Sequence, residues 1–201
     1  MKIYIARHGQ DEDNANGIMN GQRNGALTEL GRSQAKSLAN EIRNLGLTFS
    51  KIYSSPLKRA HETAQIIADT LDFKGEVELM DNLKERDLGT LTGRDLKDVY
   101  ETYTDNVLKT DTITYFLEPV NGENFPKAIK RAKRVLDEIH NKSAEGDILL
   151  VCHGDIGKMI YAVASNTPWK DVLINFHFGN GDLIDVSDSN AHLVKLEQHN
   201  V

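Results

Sequence analysis

The sequence predicts an α/β protein, a three-layer α/β/α sandwich around a mostly parallel sheet. Three observations lead there. Short apolar runs alternate with longer segments whose apolar residues recur every three or four positions. The most apolar run, Ile148-Leu149-Leu150-Val151-Cys152, is unbroken, as suits a strand covered on both faces. No repeat, low-complexity tract or Pro/Gly/Ser linker divides the 201 residues, so a single domain is expected over 1–201.

Taken in order, Ile3 to Ala6 reads as a short buried strand. From Thr28 to Leu45, the residues Ala35, Leu38, Ile42 and Leu45 share one helix face, with Thr28 placed to cap the start and Gly46 the end. Phe49 to Tyr53 reads as a second strand. Ser55-Pro56 predicts a helix start, because a hydroxyl caps and proline suits the first helical position. Leu57, Ala60, Ala64, Ile67 and Leu71 continue that helix, and Glu76 to Met80 is a weaker strand. Phe125 to His140 is helical, with Phe125, Ala128, Ala132, Val135 and Ile139 turned inward. After the strand at 148–152 come a helix from Ile156 to Ala164 and two strands, Leu183 to Val186 and Leu193 to Leu196. Only Leu88 to Val120, rich in Thr, Asp and Tyr, breaks the alternation; it reads as a helical excursion over one sheet edge.

Composition narrows the function classes. At 39% hydrophobic and mean hydropathy −0.45 the chain is an ordinary globule, which excludes disorder and fibrous repeats. Twenty-four Lys+Arg against 30 Asp+Glu give a net charge of −6, with no basic stripe to bind nucleic acid. The single cysteine, Cys152, cannot form an intramolecular disulfide and reads as a buried filler. The run Ile3-Tyr4-Ile5-Ala6 is too short for a signal-peptide core or a membrane span, so a cytoplasmic chain with no membrane partner is expected.

In an open parallel sheet, ligands bind beyond the carboxyl ends of the strands. Three expected strand ends carry unusual residues: Arg7-His8-Gly9, Ser54-Ser55 shortly before Arg59, and His153-Gly154. Either histidine alone would read as a hydrogen-bonded loop residue. Both together, with two arginines, read as a pocket for a phosphoryl group. Guanidinium forks match phosphate oxygens and stay charged, and a neutral imidazole can attack phosphorus. A helix N-terminus after Gly154 would add backbone donors to the same anion.

The stretch RHGQDEDN, Arg7 to Asn14, resembles the signature of the histidine phosphatase superfamily, in its phosphoglycerate-mutase-like branch. GQRNGALTELGRSQA, SSPLKRAHETA, LKERDLGTLTG, NGEN and VCHGD resemble the family's further landmarks, in family order and over most of the chain. The resemblance implies that His8 attacks phosphorus to form a phosphohistidine that water hydrolyses. It implies that Arg7, Arg59 and His153 hold the phosphoryl oxygens, with Asn14, Gln22 and Gly154 as further phosphate contacts. Glu85 matches the residue that protonates the leaving alcohol and then activates water, so a bell-shaped or acid-leaning rate profile is expected. No cofactor and no metal are implied. The partner is a small phosphomonoester, the 88–120 segment caps its leaving group, and a homodimer is admitted.

Some positions depart from the pattern. Asp11 stands where Thr or Ser is usual, and a carboxylate so near the phosphate should repel it unless paired. Asp155 and Lys158 stand where small and Arg residues are common. Three rival readings compete with the phosphatase. A phosphoglycerate mutase would carry a longer insertion with paired arginines, whereas Arg86, Arg94, Lys97 and Lys109 are scattered. A non-catalytic phosphate binder would not need the whole set. A metallohydrolase on His8, Asp11, His153 and Asp155 fits no common ligand spacing. Tyr100, Tyr103, Tyr115 and Phe116 are candidate walls of the leaving-group pocket, and His177 a candidate lining residue. Glu123 reads as structural, as do His61, His140, His192 and His199.

Overall fold

The computed structural model describes residues 1–103, 105–142, 145–187 and 192–193. Its strands are β1 (Ile3–Arg7), β2 (Lys51–Ser54), β3 (Val77–Leu79), β4 (Val107–Lys109), β5 (Thr114–Phe116), β6 (Ile148–Cys152), β7 (Leu183–Asp185) and β8 (His192–Leu193). Its helices are α1 (Glu12–Asn16), α2 (Glu29–Asn44), α3 (Lys58–Thr70), α4 (Leu96–Thr102), α5 (Phe125–Asn141), α6 (Gly154–Ala164) and α7 (Trp169–Asn175). Six strands form one sheet in the order β3-β2-β6-β1-β7-β8. The pairs β3–β2, β2–β6 and β6–β1 are parallel, while β7 runs antiparallel to β1 and β8 antiparallel to β7. The sheet is thus mixed and mostly parallel, with the layers the apolar patterning predicts.

Two apolar layers sandwich it. Leu38, Ala39 and Ile42 of α2 and Ala60, Ala64 and Ile67 of α3 pack on Tyr4, Ala6, Ile52, Leu149 and Val151. On the opposite face Phe125, Ala128, Ala132, Val135 and Ile139 of α5 join Ile156, Met159 and Ile160 of α6 over Ile3, Ile5, Ile148 and Leu150. Alternate residues of β1 and β6 therefore serve opposite layers, which is why both strands read as unbroken apolar runs. Thr28 caps α2 by accepting from the Gly31 amide at 3.0 Å, and Asn124 caps α5 by accepting from Lys127 at 3.0 Å.

Two expectations are corrected. The helix read from Ser55-Pro56 starts later, at Lys58; Leu57, at the cap position, offers no side-chain bond, and the Lys58 amide donates to Asn24 Oδ1 at 2.7 Å. The Ser55 hydroxyl is instead drawn to the His153 ring, at 2.8 Å. The segment 88–120 is not simply helical: it holds a 3-10 turn, α4 and the β4–β5 hairpin. Its β-branched and aromatic run Thr112 to Phe116 favours a pleated pairing. The hairpin turn is closed by the Thr110 amide donating to the Ile113 carbonyl at 2.9 Å. A third, smaller core of Met19, Leu88, Leu91, Val99 and Phe116 anchors this segment. Of the strand read at Leu193 to Leu196, the pair His192–Leu193 is β8. Residues 194–196 lie outside the described residues. Helices α1 and α7 were not anticipated.

The first turn of α2 crosses the loop after β1 at backbone contact. A Cβ on Gly31 would stand 2.0 Å from the Gln10 carbonyl oxygen, and one on Gly9 would stand 2.2 Å from the Gly31 oxygen. Only glycine at both positions permits this approach. Among the described residues, no helix is long and apolar enough to cross a membrane.

Candidate active site

The parallel register of β1 and β6 pairs Arg7 with Cys152, so the next residues, His8 and His153, leave the sheet side by side. The His8 amide donates to the Cys152 carbonyl at 3.1 Å, and the two rings sit with centroids 5.0 Å apart at 61°. His8 Nδ1 lies 2.6 Å from the Gly9 carbonyl, which only an N–H can satisfy. That fixes the tautomer and leaves a lone pair on Nε2.

Arg59, fully buried near the start of α3, stands between the rings. Its Nε is 3.2 Å from both His8 Nε2 and His153 Nδ1. Its two terminal nitrogens donate to the Arg23 carbonyl at 2.7 Å and the Gly21 carbonyl at 2.8 Å, which hold the guanidinium in place. With Nδ1 accepting, His153 carries its proton on Nε2 and donates it to Ser55 Oγ. Burial, then the adjacent Arg59 charge, pushes both imidazoles well below the usual histidine range. Both rings are therefore neutral at pH 7.

Arg7 donates from Nη1 to the Phe178 carbonyl at 2.6 Å, while its buried Nε has no partner. A buried guanidinium donor left unpaired, and close enough to both imidazoles for its charge to lower their basicity, is suited to bond an oxyanion. Glu85 sits at the N-terminus of α6, accepting from Asp155 N at 3.2 Å and Ile156 N at 3.1 Å, and from its neighbour Arg86 N at 2.8 Å. Burial, then the nearby Asp155 carboxylate, raises its carboxyl above the usual glutamate range, opposed by those amides and by Arg59. Gly154 lies between these groups: a Cβ there would approach Arg7 Cζ at 3.5 Å and Glu85 Oε2 at 3.7 Å.

The structure thus gathers His8, Arg59 and His153 through direct bonds and places Arg7, Glu85 and Gly154 together beside them. Asn14 stands one step away, its Oδ1 3.3 Å from Asn180 Nδ2, which also donates to the His8 carbonyl at 2.9 Å. Gln22 is exposed at the rim and gives its amide to the Glu85 carbonyl at 3.0 Å. Asp11, flagged as a misfit, is paired. Its Oδ2 lies 3.0 Å from Arg59 Nε with both side chains wholly buried, and it accepts from Asn14 N at 2.7 Å and Asn20 Nδ2 at 2.8 Å. Burial pushes its carboxyl up, while those bonds and Arg59 pull it back.

Two participants escaped the sequence reading as site residues. Ser55 orients His153, and its position at a strand end was the signal. Asn180 braces the His8 loop; its signal was a polar residue between two glycines. Of the candidate pocket walls, Tyr100 and Tyr103 pack on the buried Phe116, with centroids 6.0 and 5.4 Å away, and Tyr115 packs on Phe125. Phe116 belongs to the third core with Tyr103 packed against it, while Tyr100 keeps an exposed face. His177 lines a cavity of about 110 Å³ with Tyr115 and Lys158. Glu123 is structural, gripping Arg131 through both oxygens at 2.9 and 2.5 Å. Among the described residues, no three His, Cys, Asp or Glu side chains are grouped to hold a metal ion.

The family model of the histidine phosphatase superfamily (branch 1) matches residues 3–199. The chain belongs to that superfamily. A 2,3-bisphosphoglycerate-dependent phosphoglycerate mutase of Parvibaculum lavamentivorans is 31% identical over 157 residues, covering 76% of this chain and 74% of the relative. A metal-independent phosphoserine phosphatase of Arabidopsis thaliana is 34% identical over 175 residues, covering 87% and 73%. The fold is shared with a putative alpha-ribazole-5'-P phosphatase of Escherichia coli, TM-score 0.80 at 24% identity, over 100% of this chain and 98% of the other. Membership in this superfamily makes phosphoryl-transfer chemistry the frame for the site.

Proposed function

We propose that this protein is a phosphomonoesterase that hydrolyses small phosphorylated metabolites through a phosphohistidine on His8. The observation that supports it most is the neutral His8 ring, its Nε2 lone pair fixed by the Nδ1 bond to Gly9 and held against Arg59 and His153.

The steps follow from those groups. A phosphoryl group docks on Arg7, Arg59, His153 and the α6 N-terminus, where charge and oriented amides receive its oxygens. His8 Nε2 attacks phosphorus and the ester P–O bond breaks. Glu85, whose carboxyl burial and Asp155 raise and a bound dianion raises further, gives its proton to the departing oxygen. Glu85, now a carboxylate, takes a proton from water as that water attacks phosphorus. The N–P bond breaks, His8 regains its lone pair, and inorganic phosphate leaves. Residues 88–120, tied to the site through Arg86 Nη1 on the Phe116 carbonyl at 2.9 Å, form the leaving-group side of a single domain.

Similarity to a mutase raises phosphoryl return as a second reading. A mutase must grip the substrate carboxylate with spare cations. Here Arg86 is buried, bonded to Asp155 at 2.7 Å and stacked 4.2 Å above Phe125, and Arg94 donates to Thr102 at 3.2 Å. Those engagements favour hydrolysis. The test is a rapid quench with a phosphate-labelled monoester. Protein-bound label that survives alkali, is lost in acid and is absent from His8→Ala is the expected result. No label in the wild type while free phosphate accumulates would refute the covalent route.

A further inference from the structure

The superfamily's chemistry does not account for Asp11. Its carboxylate is wholly buried and fixed by the Asn14 amide and the Asn20 side chain, 3.0 Å from the Nε of the arginine that separates the two histidines. Stability does not require it there, since burying an ion pair gains little over a neutral pair of similar size. The local cap does not require a charge either, because Asn, Ser or Thr would accept the Asn14 bond equally well.

The consequence is electrostatic. With both imidazoles neutral, the charges closest to the rings are Arg7 and Arg59 against Asp11 and the ionisable Glu85, so Asp11 cancels one of the two positive charges that an incoming phosphate dianion would meet. Without Asp11 these closest groups would carry one positive charge whenever Glu85 is ionised, and two when it is protonated. Of the further acids, Asp13 is engaged by Arg23 Nε at 2.8 Å and Asp155 by Arg86 Nε at 2.7 Å, so neither adds an equal field.

We propose that Asp11 is an affinity-setting residue, an internal anion that competes with phosphate for Arg59 and keeps the site from retaining inorganic phosphate. The inference rests on the reading of this site as a phosphoryl pocket. The phosphoryl group is anionic in both substrate and product, while the covalent intermediate sets it beside a cationic His8 ring. Asp11 therefore weakens the two bound ground states and gives no advantage to their complexes over the reacting one. Its removal must then lower KM and the phosphate inhibition constant together, with no rise in kcat. Weak product binding is what a hydrolase needs and what an enzyme that must keep its phosphoryl group does not.

The experiment is calorimetric titration of wild type, Asp11→Asn and Asp11→Thr with inorganic phosphate, beside steady-state kinetics on a phosphomonoester panel. Both variants keep an N-cap acceptor for Asn14, so one stands in if the other fails to fold. The expected result is phosphate binding at least about tenfold tighter in each variant, the order that one unit charge exerts across a few ångströms of partly screened interior. A parallel fall in KM is expected with it. Unchanged or weaker phosphate binding in both variants overturns the proposal and makes Asp11 a positioning residue for Arg59. The two claims separate cleanly. Tighter binding without any hydrolysis would sink the hydrolase reading and keep this one, whereas hydrolysis with unaltered binding would do the reverse.

Discussion

Replacing Glu85 with glutamine removes one ionisable proton and almost no volume. The amides of Arg86 and Ile156, 2.8 and 3.1 Å from Oε1, still find an acceptor in the glutamine carbonyl. The Asp155 amide, 3.2 Å from Oε2, meets an NH₂ group instead. One donor facing another costs about 1–3 kcal/mol of stability, which a folded domain tolerates. Catalysis suffers more. A positioned general acid contributes about 10²–10⁴-fold, or about 3–5 kcal/mol at 1.36 kcal/mol per tenfold. That loss applies only where the leaving oxygen needs a proton. Formation of the phosphoenzyme should therefore slow by about 10²–10⁴-fold with an alkyl phosphate and far less with nitrophenyl phosphate, whose oxyanion leaves unaided. The pH dependence carries the same signature. In the wild type the alkyl rate falls as pH rises through the raised Glu85 pKa, and on the acid side only once His8, held well below its usual range, takes up a proton. In Glu85→Gln the alkaline limb should vanish. The assay is single-turnover rapid quench across pH with both substrates. Equal slowing for the two leaving groups, or an alkaline limb that survives the substitution, would refute Glu85 as the acid.

Further outcomes follow from the same groups. His8 and His153 are neutral when folded and bind protons below about pH 6.5 when unfolded, so stability should fall as pH drops through that value, by up to about 1.4 kcal/mol per unit for each ring. Urea unfolding between pH 7 and 5 tests this. His8→Gln should flatten the slope, and the difference isolates the ring from Glu85 and Asp11, whose raised values act with the opposite sign at lower pH. Arg59→Met should cost about 3–5 kcal/mol, because it strands a wholly buried Asp11 carboxylate. The double variant with Asp11→Asn should recover part of that cost, and independent effects in a double-mutant cycle would argue against the pairing. Gly31→Ala should destabilise by about 1–3 kcal/mol by pushing α2 off the Gln10 carbonyl, seen as a lower urea midpoint.

How much of this was legible depends on the range of the interaction. The strands Ile3–Arg7 and Ile148–Cys152 could be read because each serves both helix layers and so must be apolar throughout. Helices α2 and α5 announced themselves by one-sided spacing, and α2 also by its cap at Thr28. His8, Arg7, Arg59 and His153 were legible as residue types that strand ends rarely carry. The β1–β6 register that sets the two rings 5.0 Å apart was not, since it is fixed by pairing across the chain. Nor was the seat of Glu85 on the α6 N-terminus, which made it look like one more member of a charged run. The hairpin β4–β5 does not show in the sequence because its strands are only three residues each, too short for a period to appear. Asp11 was judged a misfit on local grounds, and only the fold brings its counter-ion from α3.

The pairing of Ile3 with Ile148 has a bearing on how the molecule comes into being. β1 emerges from a ribosome long before the strand that must lie beside it, so an interior ribbon of the sheet waits, edges bare, through most of translation. Loop closure over that separation is slow, and an apolar strand with two open sides is prone to aggregate. His8, the nucleophile proposed above, rides at the tip of that ribbon, so on that reading reactivity can arrive only once β6 has slotted in. Maturation and competence are therefore one event, and a nascent chain stalled before residue 148 should carry His8 without its chemistry.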